Sequence, residues 1–308
     1  MKENTFTLVA EDHHNIFVRH WQPAAKVKIK GVIHISHGMA EHSERYAATA
    51  RALNQKGFLV YAHDHRGHGH SASGILGHYA DNDGWQKVVS DFSVVQKHII
   101  SEHPDLPKFL LGHSMGSFIT MAYLRHPVSH LNGVIISGSN FDHPAKYRAL
   151  KPVIRAEIVR QGATGRSPVL EFLTFGSFNK PFDPPRTKFD WLSKDPTEVD
   201  KYIADPLSGF FCTNKLWEDL VQGLISISTK ASFDAIEHKL PIYFFAGDTD
   251  PVGQYGKGVG MLAQRFIASS HHDVSLRLYP GGRHEMLNET NSSEVISDIV
   301  AWLNHRLD

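Results

Sequence analysis

The run Lys108 to Leu124, KFLLGHSMGSFITMAYL, restricts what this chain can fold into more than any other stretch. Lys108-Phe109-Leu110-Leu111 has the composition of a buried strand, and Phe118 to Leu124 is an apolar run suited to a helix. Between them lies Gly112-His113-Ser114-Met115-Gly116, a serine with glycine two positions to either side at a strand-to-helix turn, which is the nucleophile-elbow pattern. The glycines have a steric reason. The serine must sit in a strained backbone conformation, and a β-carbon at Gly112 or Gly116 would meet the adjoining strand or helix. The strain places a hydroxyl above the sheet edge at the positive end of a helix, where an oxyanion is stabilised.

The pattern on both sides of this turn predicts a mostly parallel sheet wrapped by helices. Residues 5–9 and 15–21 read as an N-terminal hairpin around Glu11-Asp12-His13-His14. Strands follow at 31–36, 58–62, 131–137, 241–246 and 274–279, with helical patterns at 43–56, 85–101 and about 291–307. Gly57 closes the first of these helices, and Pro104 and Pro107 close the second. From about Asp142 to Lys230 the strand pattern disappears and prolines, aromatics and short helical patches take over. The expected organisation is therefore a core of 1–140 and 231–308 interrupted by an insertion at 141–230. Such an insertion leaves the sheet at the carboxyl ends of the strands, where ligand crevices form.

Composition removes several classes of function. Lys plus Arg and Asp plus Glu both number 32, so no net field points to nucleic acid. No apolar run approaches the roughly 20 residues that span a bilayer. The N-terminus MKENTFTLVAEDHHN lacks the apolar core of a secretory signal. Cys212 is the single cysteine, so no intrachain disulfide forms and a cytoplasmic location is expected. No oligomeric state is assigned.

A serine hydroxyl needs a base within hydrogen-bond reach, and the base needs an acid to orient it. On this kind of sheet the chain order is nucleophile, acid, histidine, each following a strand. Gly247-Asp248-Thr249-Asp250-Pro251-Val252 follows the strand at 241–246, and Pro280-Gly281-Gly282-Arg283-His284-Glu285 follows that at 274–279. Asp250 is the expected acid and His284 the base. Asp248 is the rival acid, and a turn-capping aspartate is the bland reading of either. Acyl transfer also needs donors for the oxyanion: the amide of Met115, and that of Met39 in the loop His37-Gly38-Met39, where Gly38 permits close backbone approach.

With these motifs in place, HGMAEHSERY, DHRGHGHS, GHSMG, AGDTDPV and YPGGRHEMLNE together resemble the α/β-hydrolase superfamily, in its monoacylglycerol lipase and lysophospholipase-like branch. The resemblance spans roughly 5–140 and 235–307. It implies an α/β-hydrolase fold with a mostly parallel eight-stranded sheet, flanking helices and a helical lid. It also implies Ser114, Asp250 and His284 as triad and the Met39 and Met115 amides as oxyanion hole, supported by Gly38, Gly112 and Gly116. The activity implied is hydrolysis of single-chain lipid esters, monoacylglycerols or lysophospholipids, with no metal or organic cofactor. The insertion matches only in kind, so head group and chain length are not carried over.

Other readings compete. His63, Asp64, His65, His68 and His70 suggest a metal site, but their spacing is no standard zinc pattern, and Arg66, Gly67, Gly69 and Ser71 suit a tight loop near the active-site rim. His113 is expected to pack structurally. Haloalkane- and epoxide-cleaving relatives use a carboxylate where this chain has Ser114. A small-ester carboxylesterase, a perhydrolase or an aminopeptidase-like amide hydrolase keeps the serine; a peptidase would want an acidic anchor, with Glu157, Glu171 and Glu198 available in the insertion. A non-catalytic binding protein is the reading from another class, and it usually lacks a triad member. The aromatic residues Phe172, Phe175, Phe178, Phe182, Phe189, Trp191, Phe210, Phe211 and Trp217 mostly form the insertion's own small core, a minority lining an acyl tunnel. Their apolar rim is a surface for transient membrane contact, without a basic amphipathic helix for stable docking.

Overall fold

The structure, a computed structural model, describes residues 1–307. β1 (Lys2–Val9) and β2 (Asn15–Gln22) form the antiparallel hairpin, and β2 pairs antiparallel with β4 (Phe58–His63). β3 (Gly31–Ser36), β4, β5 (Lys108–His113), β6 (Gly133–Ser137), β7 (Ile242–Gly247) and β8 (Val274–Tyr279) run parallel. The eight strands lie in the order β1-β2-β4-β3-β5-β6-β7-β8. Every residue of β3 to β7 is buried, which is why these strands read as continuous apolar runs: helices cover both faces.

Strand parity sorts the core. Leu110, Val134, Ile136 and Phe244 face one side, against α2 (Gly84–Glu102), α3 (Met115–Tyr123) and α9 (Lys257–Ala268), through Val88, Phe92, Ile119 and Phe266. Phe109, Leu111, Ile135 and Phe245 face the other, against α1 (Ala47–Gln55) and α10 (Ser292–Asn304), through Leu53, Val295, Ile299 and Leu303.

Two details differ from the sequence pattern. The helix expected over 43–56 opens with a 3₁₀ turn, Ser43–Tyr46, and becomes α-helical only at α1. The Ser43 amide is held by Asp64 Oδ1 at 2.8 Å, and from the tightened turn both Arg45 and Tyr46 reach Glu41. α9 was not legible because its start is masked by Gly253, Gly256, Gly258 and Gly260, although Val259, Leu262, Ala263 and Phe266 keep helical spacing and are buried.

Between β6 and β7 the chain has no strand and five helices: α4 (Pro144–Gln161), α5 (Pro168–Phe175), α6 (Pro196–Ala204), α7 (Asn214–Ile227) and α8 (Lys230–Asp234). Three prolines of this segment, Pro144, Pro168 and Pro196, open α4, α5 and α6, where a missing N–H costs nothing, while Pro152 lies inside α4. Ser167, Asp195, Thr213 and Thr229 cap α5 to α8 through their side chains. Trp217, Leu220 and Leu224 of α7 share the apolar cluster of Phe118 and Met121 on α3. Close approach of α7 to α2 requires Gly223, where a Cβ would lie 2.2 Å from the Trp85 ring. Among the described residues no helix is long and apolar enough to cross a membrane.

Several of the abundant histidines are internal. His34 Nε2 pairs with His63 Nδ1 at 2.8 Å, Gln96 with His34 Nδ1 at 2.6 Å, and His65 Nε2 with Ser36 Oγ at 3.1 Å. His37 Nε2 accepts the His65 amide at 2.9 Å. Burial pushes His34 and His68 down to about 3 and His37 to about 4, and drives His63 and His65 well below the usual imidazole range. A folded imidazole held neutral below its unfolded pKa of about 6.5 contributes stability that is complete above that pH and lost as the pH falls toward the folded value. Stability should therefore drop by at least about 2 kcal/mol between pH 7 and pH 5. Urea midpoints across that range check this, and a flat profile would contradict it.

Candidate active site

All of the chemistry-bearing loops leave the sheet at its carboxyl edge. Ser114, directly after β5, has φ 51° and ψ −122°, a backbone conformation a non-glycine residue adopts only under constraint. The constraint is tight packing. A Cβ at Gly116 would stand 2.2 Å from the Ser36 carbonyl of β3, and one at Gly112 2.8 Å from Ser117 Cα. The Ser114 amide donates to Ser137 O of β6 at 2.9 Å, and Ser117 Oγ donates to Ser114 O at 2.5 Å.

The loops after β7 and β8 are stitched together. A Cβ at Gly247 would lie 2.0 Å from Gly282 O, and Thr249 donates to that same carbonyl from its amide at 3.0 Å and its hydroxyl at 2.6 Å. Asp248 Oδ1 accepts the Gly281 amide at 2.6 Å, so this carboxylate caps the turn. Asp250 is fully buried, and both of its oxygens lie 3.1 Å from His284 Nδ1. The imidazole is buried between the His113 ring, 4.7 Å away centre to centre, and the Trp191 ring at 5.1 Å. Burial works to lower the His284 pKa, but the charge and hydrogen bond of Asp250, with Glu285 and Glu41 beyond, outweigh it and the net shift is upward. His113 has no such partner: burial, then the neighbouring His284, push it down to about 4, and its Nδ1 meets Ser137 Oγ at 3.4 Å.

Gly38 brings the loop after β3 against the elbow. A Cβ there would lie 2.7 Å from Glu41 Oε1 and 3.3 Å from Ser114 Cβ. The Gly38 amide is taken by Glu41 Oε1 at 2.5 Å, whereas the amides of Met39 and Met115 donate to no other group among the described residues. Both residues line the same cavity as Ser114 and His284.

A buried ionic bridge, whose members were in plain view but unassigned in the sequence, joins the two sides. Arg45 donates to Glu41 Oε2 at 2.7 Å and to both Glu285 oxygens at 2.6 and 2.7 Å, with its guanidinium 4.7 Å from the centre of the Tyr202 ring. Glu41 holds Gly38 and Glu285 adjoins His284, so one arginine spaces the loop after β3 from the histidine loop. Glu41 and Arg45 belong to HGMAEHSERY and Glu285 to YPGGRHEMLNE; their pairing was the missing signal. The loop before α6 supports the same edge, with Trp191 O accepting from the His284 amide at 3.3 Å and Leu192 O from the Glu285 amide at 2.7 Å.

The cavity measures about 500 Å³. Core residues form its floor, and α4, α5, α7 and the aromatic loops of the insertion form its walls. None of residues 63–71 lines it, but the loop lies next to it: the His68 ring is 5.4 Å from that of Phe210 on the cavity wall, Arg66 pairs with Asp91 and Asp12, and Ser71 Oγ accepts the Phe17 amide. No group of three or more His, Cys, Asp or Glu among the described residues is arranged to hold a metal; His34 and His63 pair with each other, and His37 Nε2 is taken by the His65 amide. Of the acidic candidates, Glu157 pairs with Arg160 and Glu198 with Lys201, while Glu171 lines the cavity. Phe175, Phe178, Phe182 and Phe189 pack with Trp191 and Tyr202, as the small-core reading expects, and Phe172 is 70% exposed.

This sheet order, with a serine elbow after β5 and an Asp–His pair after β7 and β8, defines an α/β hydrolase. A structure of a thermostable carboxyl esterase from Bacillus coagulans in complex with glycerol superposes with a TM-score of 0.90 at 30% identity, covering 100% of both chains. The family model for serine aminopeptidase, S33, matches residues 27–291, and the chain belongs to that family of α/β hydrolases. Monoacylglycerol lipase of Mycolicibacterium smegmatis is 32% identical over 279 residues, 89% of this chain and 88% of its own length. Monoglyceride lipase of Homo sapiens is 32% identical over 311 residues, 97% and 90% respectively.

Removing Arg45 would leave Glu41 and Glu285 facing each other without a cation. Arg45→Met should cost about 3 to 5 kcal/mol of stability, the usual penalty for one-sided loss of a buried ion pair. Adding Glu41→Gln and Glu285→Gln to it should recover part of that loss in chemical denaturation; no recovery would assign the cost to packing alone.

Proposed function

We propose that the chain hydrolyses carboxylic esters of single-chain lipids, monoacylglycerols foremost, through an acyl-enzyme on Ser114. The observation that carries this reading is the buried Asp250–His284 pair beside a strained serine in an apolar cavity. Asp250 holds His284 Nδ1–H and stabilises the imidazolium, leaving Nε2 to take the Ser114 proton as Oγ attacks the ester carbonyl. The Met39 and Met115 amides receive the developing oxyanion, each worth on the order of 3 kcal/mol in the barrier. His284 returns the proton to the departing alcohol, then activates water to release the acid. Side chains, amides and water of this site supply every step.

Substrate class follows from the relatives' names and from the walls. A cavity of about 500 Å³ lined by Phe175, Phe178, Phe211, Trp217, Leu220 and Leu224 accepts one alkyl chain and a small alcohol. Residues 141–230 act as the lid over this cavity, seated on the core through α7. Val159 (89% exposed), Val169, Phe172 and Leu173 form its outer apolar surface, which fits transient contact with a lipid interface. The location we propose is cytoplasmic, consistent with a lone, buried thiol.

Ser114→Ala should abolish hydrolysis of 1-monoacylglycerols and p-nitrophenyl esters with the fold retained by circular dichroism. Asp250→Asn should reduce kcat on the order of 10³- to 10⁴-fold and Asp248→Asn far less; the reverse order would move the acid to Asp248. Wild-type kcat/KM should rise with chain length from acetyl, since each buried methylene is worth roughly 0.8 kcal/mol. Activity confined to acetyl and butyryl esters would instead define a small-ester carboxylesterase. Because His284 must be neutral to accept the proton and its pKa is raised above 6.5, kcat/KM should climb as pH rises through a midpoint above 6.5.

A further inference from the structure

Most polar groups on the cavity wall are committed to protein partners. Glu41 and Glu285 share Arg45, Thr174 Oγ1 donates to Leu170 O, and Asn179 bonds Thr187 O and the Trp191 amide. Glu171 is different. It sits on α5 one turn before Phe175, lines the cavity beside Phe172, Phe211 and Cys212, and its carboxyl receives no hydrogen bond and no ion pair among the described residues. The cation of this region, Lys188, is exposed and lies over the Phe189 and Phe211 rings at 4.8 and 5.7 Å.

We propose that Glu171 is a specificity-determining residue, whose unpaired carboxyl on an otherwise apolar wall discriminates against plain alkyl chains long enough to pass it. The inference rests on the ester-hydrolase reading above. A short acyl group occupies the end of the cavity near Ser114 and leaves the carboxyl with its water. A longer chain displaces that water, and a carboxylate stripped of solvent against methylenes is strongly disfavoured unless it takes a proton. Long chains are therefore accepted best while Glu171 is protonated. Burial already pushes this group up to about 7, only weakly opposed by Lys188. The remaining ionisable groups facing this wall are the Cys212 thiol, itself pushed upward by burial and then by Glu171, and Arg166 beyond it. Glu41, Glu285, His113 and His284 also line the cavity, and none of them is among the groups that act on the Glu171 carboxyl.

The test is the ratio of kcat/KM for p-nitrophenyl dodecanoate to that for p-nitrophenyl butyrate, at pH 6 and pH 8.5. Both substrates share His284 and Ser114, so those titrations cancel in the ratio. For the wild type the ratio should fall by up to about thirtyfold over this range, as expected for one carboxyl ionising near 7. In Glu171→Gln, and independently in Glu171→Leu should the amide fold poorly, the ratio should be several-fold above wild type at pH 8.5 and flat with pH. Variants that keep the wild-type ratio and its pH dependence would overturn the proposal. So would a wild-type ratio that does not change with pH, or a loss in Glu171→Gln confined to amino-acid p-nitroanilides, which would make Glu171 an amine anchor. Absence of Ser114-dependent turnover of either ester would overturn the ester-hydrolase reading itself, and with it this inference.

Discussion

The backbone strain at Ser114 is the constraint on which the site depends. A β-branched or even an ordinary residue is unstable alone at φ 51° and ψ −122°, so the turn persists only because β3, β5 and β6 leave it no other course. Gly116 lies hard against the Ser36 carbonyl and the Ser114 amide is spent on β6. Of the strands that clamp the elbow, β3 also carries the loop with Gly38 and Met39, and Ser114 follows β5, which lies between β3 and β6. Catalytic geometry and core packing are thus one arrangement, which is why a single added methyl at Gly112 or Gly116 would disturb both.

Around that fixed point, three loops from distant parts of the chain are held by buried polar pairs. The Arg45 bridge keeps Glu41 and Glu285 apart at a set spacing, and through them Gly38 and His284. Buried ion pairs of this sort contribute little net stability against a hydrophobic substitute. Their value here is positional: a guanidinium fork with three short contacts admits few alternative geometries. The histidine ladder behind the oxyanion loop serves similarly, filling a polar seam between β3, β4 and α2 with neutral imidazoles that bond to one another. The same neutrality ties the fold to pH values above the imidazole range.

The insertion is joined to the core by α7 and roofs the catalytic cavity with aromatic side chains. Its Trp191 ring lies tilted 5.1 Å from that of His284, and the backbone of Trp191 and Leu192 accepts the amides of His284 and Glu285. The insertion's part of the cavity wall and the loop that carries His284 are therefore mechanically continuous.

Much of this was legible from order and spacing. Ser114, Asp250 and His284 were locatable because each follows a strand whose apolar run is unmistakable, and Gly112 and Gly116 because only a steric need explains them. α9 was hidden because four glycines at its start imitate a loop, although packing of Val259, Leu262 and Phe266 on β7 and β8 overrides their low propensity. Asp248 and Asp250 could not be separated by composition; the stitching of Gly247 against Gly282 turns one to cap a backbone amide and the other to the imidazole. The Glu41–Arg45–Glu285 bridge and the solitary Glu171 lay beyond reading, since 240 residues separate Arg45 from Glu285 and no local period links them. Sequence by itself determined the strands, the elbow and the candidates for the reacting groups, because those follow from burial periodicity and backbone sterics within a few residues. Tertiary structure alone decided which charges meet, which stand unpaired and which aromatic rings line the cavity. These depend on distances across the fold, and a low dielectric magnifies every one of them.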